Sequence, residues 1–259
     1  MPSPFEEFLK RNSIGPVQGS LPIVHSTKSF NLRDLIKASG LEPRDCDVYN
    51  EKLLYFFLGR PSYRWMRPEG TPQDWELPTC FIFDENAKLD VRRVMPFDSG
   101  AHHAGRYPSY IQNIPRQNFE SELDGSEDRI VSAFFGSFKA YLEAKPKSQE
   151  QIADEYSLGP LDAEIMSIGK LAGDTSADGI DDRRFSIEIQ SPSKVDFSVT
   201  PPKAIILPTP YMKDETVREA ISTWGAEYLT YDTWGLSLSW YFGAIFVKFT
   251  EYCKENGYL

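Results

Sequence analysis

Histidine and cysteine are scarce in this 259-residue chain, at three of each. Cys46, Cys80 and Cys253 lie far apart, without the close pairing of a zinc site, so no metal is expected. An odd, dispersed set also excludes a disulfide framework and suits a reducing, cytoplasmic setting. Positive charge is short as well: 28 Lys and Arg face 38 Asp and Glu, for a net charge of −10. That excludes a broad electrostatic footprint on nucleic acid. Long apolar runs are missing too. The most apolar late segment, 236–247, is broken by Ser237, Ser239 and Gly243, so it reads as a packed helix and no membrane partner is expected. The first residues carry no apolar h-region, and no secretory signal is expected. Fixed-period repeats and low-complexity segments are also lacking.

What is present suits an ordinary globular protein, with 41% hydrophobic and 14% aromatic residues. Local patterns predict a helix over 5–11, a strand over 21–24 that delivers His25 to its end, and a helix capped by Asn31 and stopped at Gly40. Apolar runs predict strands at 53–57, 80–83 and 91–95. Residues 96–115, rich in Gly, Pro, His and Tyr, read as an ordered loop, and 127–144 as one helix. A short helix follows at 148–156, then a mobile loop at 173–182. Strict alternation over 185–190 predicts a half-buried strand with Ser186, Glu188 and Gln190 on its polar face. Strands at 204–207 and 228–231, a helix at 213–224 and a closing helix at 239–255 complete an α+β reading.

The most informative stretch joins His25-Ser26-Thr27 to the helix Asn31, Leu32, Leu35, Ile36, Gly40, Leu41, and then to Tyr55-Phe56 and Tyr63. This succession resembles the donor-binding half of ADP-ribosyltransferases of the His-Tyr-Glu type, the group of poly(ADP-ribose) polymerases, diphtheria-toxin-like enzymes and bacterial nucleic-acid-modifying toxins. The resemblance covers about forty residues. It implies an α+β fold with a split mixed/antiparallel sheet and flanking helices, in a single domain over 1–259 with an insertion at 65–165 that shapes the acceptor site. It implies NAD as substrate and an acceptor that is protein or nucleic acid. It also implies a bacterial toxin or defence setting with an antitoxin or regulatory partner.

The resemblance assigns His25, Tyr55 and Glu188 as the catalytic set, and His25, Ser26, Thr27, Tyr55, Arg60 and Tyr63 as NAD contacts. His25 would bond a ribose, Ser26 backbone groups the nicotinamide amide, and Tyr55 and Tyr63 would sandwich the nicotinamide ring. Arg60 or Arg64 would meet the diphosphate. Breaking the nicotinamide glycosidic bond develops positive charge on the ribose, which a carboxylate stabilises. Glu188 is the first choice, with Glu164 and Glu227 as competitors. Position 186 is Ser rather than a second Glu, which disfavours protein arginine as acceptor. NAD hydrolysis, RNA 2'-phosphate transfer and a catalytically silent nucleotide-binding or interaction module are the rival functions.

Taken singly, each residue has a plainer reading: His25 a structural hydrogen-bonder, Tyr55 core, Tyr63 a turn aromatic, Glu188 a solvated strand face. The arginines at 60, 64, 67, 92, 93 and 106 read equally as surface ion pairs or a local basic groove. In the segment 96–103, Asp98 reads as the cap of a tight turn rather than a metal ligand, and Ser99 lacks the glycine spacing of a nucleophile elbow.

Overall fold

A computed structural model describes residues 2–62, 71–174 and 182–259. The described strands are β1 (Ile23–Lys28), β2 (Gly40–Leu41), β3 (Arg44–Cys46), β4 (Glu51–Leu58), β5 (Pro78–Phe83), β6 (Arg93–Met95), β7 (Glu188–Ser191), β8 (Val195–Asp196), β9 (Ala204–Pro208) and β10 (Glu227–Tyr231). The described α-helices are α1 (Pro4–Arg11), α2 (Leu32–Ala38), α3 (Ser99–His103), α4 (Ser109–Gln112), α5 (Ser126–Phe134), α6 (Phe138–Leu142), α7 (Gln149–Tyr156), α8 (Ala163–Gly173), α9 (Glu215–Trp224) and α10 (Leu238–Glu255). Helices flank a sheet with both parallel and antiparallel pairs, so the fold is α+β. Among the described residues no helix is long and apolar enough to cross a membrane.

The chain divides into two compact units. The first comprises Met1–Ser20, Cys46–Asn50 and Val91–Gln190; the second comprises Leu21–Asp45, Glu51–Asp90 and Ser191–Leu259.

In the second unit the strands run in the order β10-β9-β5-β1-β4. β9 and β10 are parallel and joined through α9, while β5 is antiparallel to both β9 and β1. Every residue of β5 and β9 is buried, as expected of strands covered on both faces. Phe197 and Trp224 pack over Phe81, with ring centroids at 5.6 and 6.4 Å. Helix α10 also packs on β5, β9 and β10, burying Leu238, Tyr241, Phe242, Ile245, Phe249 and Tyr252 at helical spacing.

Three local expectations change here. Strand β1 runs on through His25 to Lys28, so His25 is not its last residue. Helix α2 is not stopped by Gly40 either: Ser39 takes the left-handed cap (φ 45°), and Gly40 enters β2, paired with β8. A Cβ at Gly40 would collide with the Val195 carbonyl, so glycine is required there for close backbone approach. Asn31 does precede α2, but its amide donates to Thr27 Oγ1 at 2.7 Å and caps no helical N–H.

In the first unit, α1 buries Phe5, Phe8 and Leu9 against α5 and α7, with Phe5–Phe134 and Phe8–Tyr156 centroids at 6.3 and 5.2 Å. The expected single helix over 127–144 is two. Gly136 adopts φ 75° after α5, and Ser137 caps α6 by accepting from the Ala140 N–H. The expected loop at 96–115 contains α3 and α4, because Phe97, His102, Tyr107 and Phe119 close into an aromatic cluster. Helix α7 carries the capping box Ser148/Gln151. Most of the expected mobile loop at 173–182 lies outside the described residues.

No disulfide joins the cysteines: Cys80 and Cys253 are buried, and burial pushes both thiols up to about 12, whereas Cys46 is half-exposed. Gly40→Ala is expected to lower stability by about 1–3 kcal/mol through the forced backbone shift. A urea midpoint that falls at unchanged slope checks it.

Candidate functional site

Each unit carries part of the expected constellation. In the second, β1 pairs with β5 along its whole length, from Ile23↔Phe83 to Lys28↔Pro78. Against β4 its register covers only Ile23↔Leu58 and Val24↔Phe57. His25 stands where that ladder ends, and its Nδ1 lies 2.8 Å from the Tyr55 carbonyl. A carbonyl only accepts, so Nδ1 carries the proton and the neutral ring presents Nε2 as an acceptor. Burial holds the imidazole down at about 4, with the Arg44 charge acting the same way against the opposing Tyr55 bond. At neutral pH the ring is therefore uncharged and offers a lone pair suited to a hydroxyl.

The neighbouring expected contacts are mostly committed to the protein. Ser26 is buried and faces Cys80 across the β1–β5 ladder, and the Thr27 hydroxyl accepts from Asn31. The Arg60 guanidinium lies 5.0 Å from the Phe246 ring centroid on α10. Tyr55 is half-buried and contributes its carbonyl to His25. Tyr63, Arg64 and Arg67 lie outside the described residues. Of the other arginines singled out, Arg92 and Arg106 are exposed and Arg93 is buried.

Glu188 belongs to the first unit, and the polar strand face expected there is not solvated. Ser186, Glu188 and Gln190 are exposed by 1%, 1% and 0%, and the strand begins only at Glu188, after a 3-10 turn over Asp182–Phe185. Helix α3 and strand β6 supply the cover. Ser99 donates its hydroxyl to Glu188 Oε1 at 2.6 Å and its backbone N–H to Oε2 at 3.1 Å. Gln190 Nε2 donates to the same Oε1 at 2.5 Å and reaches Ser99 Oγ at 3.3 Å. Arg93, on β6 in register with Gln190, donates to Gln190 Oε1 at 3.0 Å.

Asp98 sits beside this group as the N-cap of α3, accepting from the Ala101 N–H at 2.7 Å, so the expected capping role holds. Its other oxygen pairs with Arg183 at 3.3 Å. Burial, and then the Asp98 charge, push Glu188 above the ordinary carboxylate range despite the opposing bonds from Ser99 and Gln190. The result is a desolvated carboxyl with an elevated proton affinity, the condition in which a carboxyl can serve acid–base work.

The competing glutamates are ordinary by comparison. Glu164 on α8 accepts from Asn118 at 2.7 Å, and Glu227 is exposed at the start of β10. A cleft of about 540 Å³ in the first unit is lined by Glu164, Arg11 and Leu161, among others, but not by Glu188 or Ser99. Sequence reasoning undervalued Ser99 and Gln190 and missed Tyr49, whose ring lies under the Arg93 and Arg116 guanidiniums at 4.2 and 4.1 Å. The available signal was the polar triplet Ser186, Glu188, Gln190, which alternation alone cannot tell from a wet face.

The two ionisable centres are expected to respond to pH in opposite directions. Folded His25 refuses a proton that the unfolded chain accepts below about 6.5, so acidification from 6.5 towards 4 removes stability. The Tm of wild type should fall relative to that of His25→Gln across this window. Folded Glu188 keeps its proton above 4.5, where the unfolded chain releases it, so its contribution fades as pH rises. The Tm of Glu188→Gln should therefore gain on that of wild type from pH 4.5 upward through neutrality. Melts of the three proteins over a pH series check both.

Comparison with protein-family models and with curated proteins finds no match for this chain.

Proposed function

We propose that this chain is an NAD-consuming ADP-ribosyltransferase that releases nicotinamide and transfers ADP-ribose to a macromolecular acceptor, protein or nucleic acid. The observation that carries the reading is the neutral His25, locked by the Tyr55 carbonyl at the end of the β1–β4 ladder with Nε2 as an acceptor. A ribose hydroxyl is the matching donor, and an uncharged ring binds it at all physiological pH values. Glu188 supplies the carboxyl for the developing oxocarbenium charge. That role needs the ionised form, so the proton affinity raised by burial confines it to pH above the carboxyl's elevated titration range. Tyr55 and Tyr63 are assigned to the nicotinamide ring and Arg60 to the diphosphate by the sequence resemblance. A toxin or defence role follows from that resemblance alone.

One observation favours a second reading. Both Glu188 oxygens already accept from Ser99, and Gln190 adds a third bond, which suits a structural carboxyl in a silent nucleotide-binding module.

Incubation with NAD labelled on the adenylate, in the presence of mixed cell protein, DNA and RNA, separates the two. Transfer predicts free nicotinamide and label in one macromolecular class. Glu188→Gln should then cut nicotinamide release by about 100-fold or more. His25→Ala should weaken NAD binding by roughly tenfold, the worth of one hydrogen bond. Release without macromolecular label indicates hydrolysis, and no release with intact binding indicates the silent module.

A further inference from the structure

Tyr49 has no role in the assignments above, yet its phenol is among the most constrained groups of the first unit. Arg93 and Arg116 both lie over its ring, and each is anchored elsewhere. Arg93 donates to Gln190 Oε1, Arg116 donates to the Val48 carbonyl at 2.9 Å, and both reach Glu120 at 3.8 and 4.0 Å. The ring is thereby fixed in place.

Its hydroxyl is sealed from solvent and completes no hydrogen bond. Gln190 lies beside the hydroxyl and favours its ionised form, but their geometry completes no bond, and the Gln190 amide is already engaged with Glu188, Ser99 and Arg93. Burial, and then the Glu188 charge, push the phenol up to about 12, so it remains a proton-bearing donor. A buried hydroxyl without a partner is costly, and phenylalanine would preserve the ring and its contacts with the arginines without that cost. The residue as a whole is half-exposed.

We propose that the Tyr49 hydroxyl is a ligand-binding donor of the Glu188 centre, kept without a protein partner so that an oxygen of a nucleotide ligand completes it. This rests on the nucleotide reading given above. The oxygen is a phosphate or a ribose oxygen, both acceptors for a phenol. Two flanking guanidiniums add attraction for a phosphate.

Tyr49→Phe in the full chain provides the test, with melting curves of the unliganded protein and calorimetric titrations with ADP-ribose and with adenosine. The expected result is a Tm equal to or above that of wild type, together with affinity for ADP-ribose lower by about tenfold. Loss confined to ADP-ribose identifies its phosphates or distal ribose as the source of the oxygen; loss with both ligands identifies the adenosine ribose. A lower Tm for the variant overturns the inference, because the hydroxyl is then satisfied within the protein. Unchanged affinities for both ligands overturn it as well, while leaving the nucleotide reading intact. Wild type that binds neither ligand removes the nucleotide reading and this inference together.

Discussion

A carboxyl withdrawn from water organises the first unit. Glu188 has surrendered its hydration, and the surrounding chain replaces it with a hydroxyl, a backbone N–H and a side-chain amide. That replacement dictates what its neighbours can do. Ser99 must begin a helix so that its N–H points at the carboxyl, and Asp98 must cap that helix. Gln190 must face the same way as Glu188, which the two-residue period of β7 guarantees. Arg93, opposite in the β6 register, then satisfies the Gln190 oxygen. A network of this kind is stable only when nearly complete, since each missing partner leaves a polar atom in a low-dielectric interior. The open position at Tyr49 stands out against that background.

The second unit rests on a different device. Its central strands are buried on both faces and are conventional in every respect except at His25. There a side chain takes over where the ladder register with β4 stops, and one imidazole nitrogen donates to a carbonyl while the other keeps its lone pair. The polar function is obtained with a neutral group, so nothing charged has to be accommodated beside Phe56, whose ring centroid is 5.5 Å away.

Much of the fold was legible. Apolar runs marked β4, β5 and β9, and the spacing of aromatics marked α10, because burial is written directly in residue type. Three features were not. Gly40 looked like a helix stop, since a glycine after an amphipathic turn has the same local signature whether it caps a helix or admits a neighbouring backbone. The 127–144 pattern kept helical spacing across Gly136, and only the positive φ there breaks it. The strand at 185–190 alternated as a half-wet strand does, and its polar face is dry because α3 and β6 cover it with matching donors. That cover comes from residues distant in sequence, and no window around Glu188 contains it. His25 and Glu188 were both singled out in advance, but the environment that makes each chemically unusual is tertiary.

The burial of Cys80 and Cys253 has a practical side. With both thiols held at about 12, neither supplies appreciable thiolate at neutral pH, whereas Cys46 remains half-exposed. Cys46 lies three positions before Tyr49 in the same short segment of the first unit. Alkylating reagents are thus directed to a single address close to the phenol, and a fluorophore attached there would report on that neighbourhood without any cysteine having to be engineered away.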